Sequence, residues 1–434
     1  MSCGRRERWR LCLRLARLRL AAAGVAAAVL MPSPAAAWPR VGAIAFSGNQ
    51  VTQASVMLRE TVIRVGDPAD PDRIERSRQG IQDLGLFKWV AATQTPMGDG
   101  TVRLTFVVAE KWYVLPLPRY DVNSDGQTTY GTQLRWFNAW GLNHTVKGSW
   151  AVRDDRRSNT GSRTSYGMSY DVPFVQDTPY GLSVSASHQQ TPVTLPAIYD
   201  ETVEELGLGV GRSLDHIGPA SVGWGVHSGL DWSRQDTSGA AAPPPYGEAY
   251  SLSLGAGFQD VRDNIYSDEG SRYALNWRGA TQRVLSDYSY SQFQAEYKRY
   301  VPFGGMPHQT FEISGAFGTY AGGPMQATIS KGPFSLGGSS RLRAHEGNFL
   351  EGNVYYYLGA EVARPVYWNW LRVVGLVEAG NVFEDFGSVT FNRVYADAGI
   401  GLRLRVTFLV NIEVEAGVAF PLEKGPGHVF ASRL

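Results

Sequence analysis

The sequence predicts a mainly β fold, in which a sixteen-stranded antiparallel transmembrane β-barrel follows one small α+β domain of order βααββ. Three observations carry this expectation. From Tyr113 onward apolar and polar residues alternate with period two over segments of about ten residues. Residues 1–37 read as an export leader. No later run approaches the roughly 18 consecutive apolar residues of a spanning helix, so a membrane crossing falls to a barrel, the other structure that pairs all its backbone in lipid.

The leader is basic, short and cleavable. Arg5, Arg6, Arg8, Arg10, Arg14, Arg17 and Arg19 precede an apolar core from Leu20 to Met31, and Ala35-Ala36-Ala37 supplies small residues before Trp38. Removing its seven arginines and one glutamate turns the formal charge of the chain from +1 to −5. Cys3 and Cys12 leave with it, so the exported chain has no cysteine and neither a disulfide framework nor a thiolate metal site.

Residues 38–112 carry the signals of the small domain. Val41 to Phe46 alternates as a strand, and Gly48-Asn49 turns the chain. Thr52 is expected to cap a helix through Val56, Leu58 and Val62 that stops at Gly66. Asp70-Pro71 opens a second helix with a cap and an N1 proline, and Gly85 closes it. Phe87 to Thr95 and Thr101 to Val108 then form a hairpin around Gly98-Asp-Gly100.

Residues 113–434 are the barrel. Val394, Ala396, Ala398, Ile400, Leu402 and Leu404 alternate with Tyr395, Asp397, Gly399, Gly401, Arg403 and Arg405, and Val410 to Phe420 repeats the pattern against Glu413 and Glu415. Apolar faces toward lipid and polar faces toward a lumen satisfy this pattern in an exported chain rich in aromatics. Short connections such as Ala139-Trp-Gly-Leu142, Phe303-Gly-Gly-Met306 and Val366-Tyr-Trp-Asn369 alternate with long ones such as 154–162, 189–204 and 234–247. That order puts the short turns in the periplasm, and the Pro-rich stretch Ala240 to Pro245 in an outer loop.

One stretch stands apart. Leu336 to Gly352 is too polar and glycine-rich for a strand, yet it lies between two clear strands as the sixth long connection. Carrying Arg341 and Arg343, it must either extend into solvent or fold back into a polar lumen, and we read it as folded back with Arg343 as the anchor.

Several motifs resemble known families. Phe46-Ser-Gly48-Asn49, Gly66-Asp67, Leu84-Gly85-Leu-Phe87 and Val107-Val-Ala-Glu110 resemble the signature of the POTRA (polypeptide-transport-associated) domain. This resemblance implies a three-stranded sheet with an edge open to client strands, placed here at Phe87 to Thr95. A spacer that binds nothing is the other reading of such a domain. In the barrel, Asp260-Val-Arg262-Asp263-Asn264 followed by Gly270 resembles the turn between strands eight and nine of the BamA/TamA outer-membrane assembly family. Leu342-Arg343-Ala344-His345 stands at the place of that family's sixth-loop motif, with alanine for glycine and histidine for an aromatic. Val377-Glu378-Ala379-Gly380-Asn381 stands at the place of its strand-thirteen motif, with glutamate for aspartate.

The resemblance implies that Arg343 and Glu378 pair, and we expect a bidentate ion pair that holds the loop inside the barrel. It also implies that the wall opens between the first and last strands. Here that seam runs along Tyr113 to Asp121 and Gly427 to Leu434, the latter a short closing strand containing Phe430. The implied partners are the outer-membrane bilayer with its lipopolysaccharide, and periplasmic client polypeptides or accessory proteins.

Nothing in the sequence calls for a cofactor or an enzyme. The seven histidines are scattered without metal spacing, no Gly-x-Ser-x-Gly elbow is present, and Gly207, Gly209 and Gly211 are small residues on one strand face. The acidic mature charge argues against nucleic acid. Two functions remain: a scaffold that assists insertion or translocation of proteins or lipids at the outer membrane, and a passive solute pore whose lumen charges include Arg403, Arg405, Glu413 and Glu415.

Overall fold

The computed structural model describes residues 38–433 apart from 123–127, 155–161, 194–198, 216–221, 264–266, 324–332, 411 and 424. The leader expected over 1–37 and the terminal Leu434 lie outside the described residues. The first elements are β1 (Val41–Ser47), α1 (Ala54–Arg59), α2 (Pro71–Asp83), β2 (Phe87–Pro96) and β3 (Val102–Glu110). Their sheet order is β1-β3-β2, with β3 parallel to β1 and antiparallel to β2. The central strand carries the core: Leu104 and Phe106 are fully buried beside Phe87, Ile81 and Met57. β2 is an edge strand, with Trp89 half exposed along it.

The two helices differ in how they start. Asp70 caps α2 by accepting from the Asp72 amide at 3.0 Å, Pro71 fills N1, and Gly85 leaves the helix at φ +69°. The start and stop signals over α2 act as they read. In α1 the expectation fails: the helix spans only Ala54–Arg59, Gln53 is at the cap position, and no side chain caps it. The entry amides of Gln50, Val51 and Thr52 donate instead to the carboxylate of Glu110, at 3.1, 3.0 and 2.7 Å. A carboxylate 58 residues away in sequence does what a local hydroxyl was expected to do. Val62 lies past the helix end.

Sixteen strands make the barrel sheet. The first eight are β4 (Val114–Val122), β5 (Thr128–Ala139), β6 (His144–Asp154), β7 (Ser162–Val172), β8 (Tyr180–Val193), β9 (Tyr199–Ser213), β10 (Gly223–Ser238) and β11 (Gly247–Gln259). The second eight are β12 (Ser267–Ala280), β13 (Tyr290–Pro302), β14 (Thr310–Gly322), β15 (Val354–Pro365), β16 (Leu371–Phe383), β17 (Tyr395–Arg405), β18 (Glu413–Pro421) and β19 (His428–Arg433). Two connections are shorter than the sequence suggests, because β8 continues to Val193 and β10 to Ser238.

Alternation sorts the side chains as a membrane barrel requires. On β17, Ile400 and Leu402 are more than half exposed on the outer wall, while Asp397, Arg403 and Arg405 are buried on the inner one. In sheet order β19 lies beside β4. Every other neighbouring pair is joined by a residue-by-residue antiparallel ladder, but among the described residues none joins β19 to β4, so the wall has an unladdered seam.

Candidate functional site

Between β14 and β15 the chain folds into the barrel. A two-stranded hairpin pairs Phe334 with Gly352 and Leu336 with Leu350, and its tip carries Arg341 to His345. Apolar packing seats it: Leu336 and Leu342 are buried among Tyr288, Tyr290, Tyr320, Tyr355 and Tyr357 of the inner wall. The tip turns through Leu342, at φ +52°, and closes with His345 N–H donating to the Leu342 carbonyl at 3.1 Å. The left-handed residue is therefore Leu342, and Ala344 stands at a position that does not need glycine.

Arg343 meets a cradle rather than one partner. Its Nη1 donates to Glu415 Oε1 at 2.8 Å and to Glu361 Oε2 at 3.4 Å, and its Nε lies 3.5 Å from Glu378 Oε1. Glu378 accepts mainly from the loop backbone, taking the Arg343 amide at 2.9 Å, and from Tyr357 Oη at 2.7 Å. The expected bidentate Arg343–Glu378 pair does not form, because the planar guanidinium is shared among three carboxylates that converge from separate strands. Arg403 adds a second cation: its Nε donates to Glu415 Oε2 at 2.7 Å, and its Nη2 contacts Glu415 and Glu361. Phe430 lies beneath, its ring centre 5.4 Å from the Arg343 guanidinium carbon.

The next residues are held by a fourth carboxylate. Asp397, fully buried, accepts from the Ala344 amide at 2.8 Å, and its other oxygen lies 3.2 Å from His345 Nε2. His345 stacks on Phe349 with ring centres 4.1 Å apart, taking the place of the family's aromatic. Glu361, Glu378, Asp397 and Glu415 thus come one each from β15, β16, β17 and β18, four neighbours in the sheet. Arg341 reaches the other way, donating to Glu296 Oε1 on β13 at 2.7 Å and to Tyr355 Oη at 3.1 Å. Gly380 leaves room for the loop: a Cβ there would meet Leu336 Cδ1 at 2.9 Å and the Tyr356 carbonyl at 2.7 Å.

Under the loop a cavity of about 950 Å³ remains, lined by Arg272, Lys298, Glu312, Arg372 and Glu413 and, from the small domain, by Asp83 to Gly85. Of the lumen charges named for a solute pore, Glu415 is bound to Arg343 of the loop, and Arg403 is bound to Glu415 and Glu361 on the wall. Glu361 and Asp397 were not singled out from the sequence. Their signal was a lone carboxylate among the small or apolar residues of a strand, on the face shared with other polar side chains.

The other motif residues are structural. Asp260 N–H donates to the Ser271 carbonyl at 3.0 Å and its side chain accepts from the Ser271 amide, closing the turn in which Arg262 pairs with Glu269 and Asp263 with Ser267. Gly270, at φ +116°, passes so close that a Cβ would meet the Asp260 carbonyl at 2.5 Å and Val261 Cα at 2.7 Å. Gly270→Ala is expected to cost at least about 2 kcal/mol from backbone strain and collision. A thermal midpoint lowered by several degrees checks it, and an unchanged midpoint would contradict the close approach. In the small domain Gly48 turns at φ +88°, Asn49 Nδ2 donates to the Thr52 carbonyl at 3.0 Å, and Glu110 binds the three amides described above.

At the seam, one residue is not where it was expected. Tyr113 is buried in the core of the small domain, hydrogen-bonded to the Leu86 carbonyl at 3.3 Å, because its polar tip and apolar ring match that interior better than the wall. Phe430 lies on the closing strand β19, as expected, and is buried against the loop. Asp121 pairs its backbone with Thr129, Gly427 precedes β19, and Val429 is largely exposed on the outer wall.

Comparisons with known proteins agree with this architecture. Residues 39–111 match the POTRA family, described as a surface antigen variable number repeat, and residues 138–428 match the Omp85 superfamily domain. Outer membrane protein assembly factor BamA of Nitratidesulfovibrio vulgaris is 42% identical over 64 residues, which is 15% of this chain and only 8% of that protein. The structure of BamA from Haemophilus ducreyi lacking POTRA domains 1-3 aligns at a TM-score of 0.54 and 15% identity, covering 91% of this chain and 85% of that one. CdiB from Escherichia coli aligns at a TM-score of 0.61 and 13% identity, covering 91% and 75%. At such identities the structural likeness speaks for the fold, while the superfamily match extends over about two thirds of the sequence. The chain belongs to the Omp85 superfamily, as a Gram-negative outer-membrane β-barrel with a periplasmic POTRA domain.

Proposed function

We propose that this protein assists the insertion or translocation of polypeptides at the outer membrane without covalent chemistry. The observation that carries the proposal is the inward loop: four strands each commit a buried carboxylate to hold it, a cost without purpose in a passive channel. In this reading an exported leader (1–37) is removed and the POTRA domain (38–112) presents β2 in the periplasm. The barrel (113–434) then opens along the seam between β4 and β19, in a bilayer that includes lipopolysaccharide. The names of the relatives support it, since one is an outer membrane protein assembly factor.

Extended clients would add to β2, whose outer edge has no strand partner in the sheet. A photocrosslinking residue at Trp89 or Thr93 is expected to capture unfolded outer-membrane polypeptides in the periplasm, while one at Arg76 on α2 is not. Equal capture at all three positions would remove β2 as the docking edge.

The second reading, a solute pore, draws on the charged cavity of about 950 Å³ left beneath the loop. Steady, ion-selective currents from the wild-type protein in planar bilayers would favour it.

A further inference from the structure

The weakest join in the wall is bridged from below. β4 and β19 share no ladder among the described residues, but the residue just inside the linker to β4 pairs elsewhere. Trp112 forms a parallel bridge with Leu409, in the turn between β17 and β18. The Trp112 amide donates to the Phe408 carbonyl at 2.8 Å, and the Trp112 carbonyl accepts from the Val410 amide at 3.4 Å. β18 is the strand on the far side of β19, so the linker passes the foot of the last strand and fastens to the strand pair beyond it. The tie is made by backbone: the Trp112 side chain is 63% exposed.

The POTRA domain braces this tie on both sides. Val410, 1% exposed, packs in one apolar cluster with Tyr113, Phe87, Leu104 and Phe106. On the β4 side, the same domain holds the turn between β5 and β6. Asn138 Nδ2 donates to Thr52 Oγ1 at 2.8 Å, and the Gln53 amide donates to the Gly141 carbonyl at 2.9 Å. Thr52 Oγ1 also lies 3.1 Å from Tyr113 Oη, which joins the two grips through one buried hydroxyl pair.

We propose that the Trp112–Leu409 bridge is a staple that holds the periplasmic end of the seam shut, released only when the POTRA domain loosens its hold on Val410. A client or accessory protein that shifts the domain would thereby unfasten the wall, with no contact to the barrel strands. The proposal rests on reading the seam as the place where the wall opens, but its test needs no client.

Trp112→Pro removes the amide that donates to Phe408. It also removes the indole N–H that donates to the Val114 carbonyl at the start of β4, so Trp112→Ala, which loses the indole and keeps the amide, is the control and should exchange as wild type beyond Val114. In hydrogen–deuterium exchange of the full-length protein in nanodiscs, the proline variant is expected to speed exchange about tenfold in Val114–Val122 and His428–Arg433, while Tyr199–Ser213 keeps its protection. The double variant Trp112→Cys/Leu409→Cys supplies the opposite case: the oxidised form should exchange more slowly than wild type at both lips, and reductant should restore the wild-type rate. Seam exchange that follows neither the proline nor the disulfide, in protein whose central strands stay protected, would overturn the staple. Responsive seam exchange with no effect on client insertion would keep the staple and instead reject the function proposed above.

Discussion

Replacing Arg343 with alanine is expected to release the inward loop and raise single-channel conductance severalfold in planar bilayers. The substitution leaves Glu361, Glu378 and Glu415 facing one another with only Arg403 between them, all buried. Breaking a buried ion network from one side costs about 3–5 kcal/mol, since the remaining charges lose a partner without regaining water. That shifts the balance between seated and released loop by roughly two to four powers of ten. Arg343→Lys should recover only part of the effect, because a single ammonium cannot address three carboxylates as a planar fork does. Currents identical to wild type in Arg343→Ala would show that the loop is held by its apolar stem alone, and the anchoring role would fall.

Asp397→Ala is expected to free the loop from the other end. The substitution strands the buried Ala344 amide and removes the carboxylate beside His345, at a cost of about 1–3 kcal/mol for the unpaired donor. The readout is local: Arg343 is a trypsin site that the seated loop shelters, so cleavage there from the outer face reports opening. Asp397→Ala should be cut after Arg343 where wild type is not. Because Arg343 and Asp397 act on one loop, the double variant should cost less than the two single effects added, with a coupling of about 0.5–3 kcal/mol. Full additivity in unfolding measurements would mean that the two contacts hold independent parts of the structure.

The glutamate at position 378 acquires a physical account. It spends one oxygen on the backbone of Arg343 and the other on Tyr357, so its longer side chain serves as a hydrogen-bond acceptor at the loop tip, while Glu415 takes the closest guanidinium contact. The charge logic of the motif is kept, but the geometry is distributed over more strands.

Local chemistry fixed much of this protein. Alternation placed Glu378 on the lumen face opposite Val377, Asp70-Pro71 started α2, and the sixth long connection was legible as an inward loop, because each depends on residues within a few positions of one another. What the tertiary structure alone decided is who meets whom. Arg343 finds Glu415 at a separation of 72 residues, Glu110 binds the entry amides of α1 from 58 residues away, and Tyr113 leaves the seam for the POTRA core. Strand parity gives a side chain its face but not its height or its neighbours around the wall. Those follow from the register of sixteen strands, each set by pairing that a single sequence does not display.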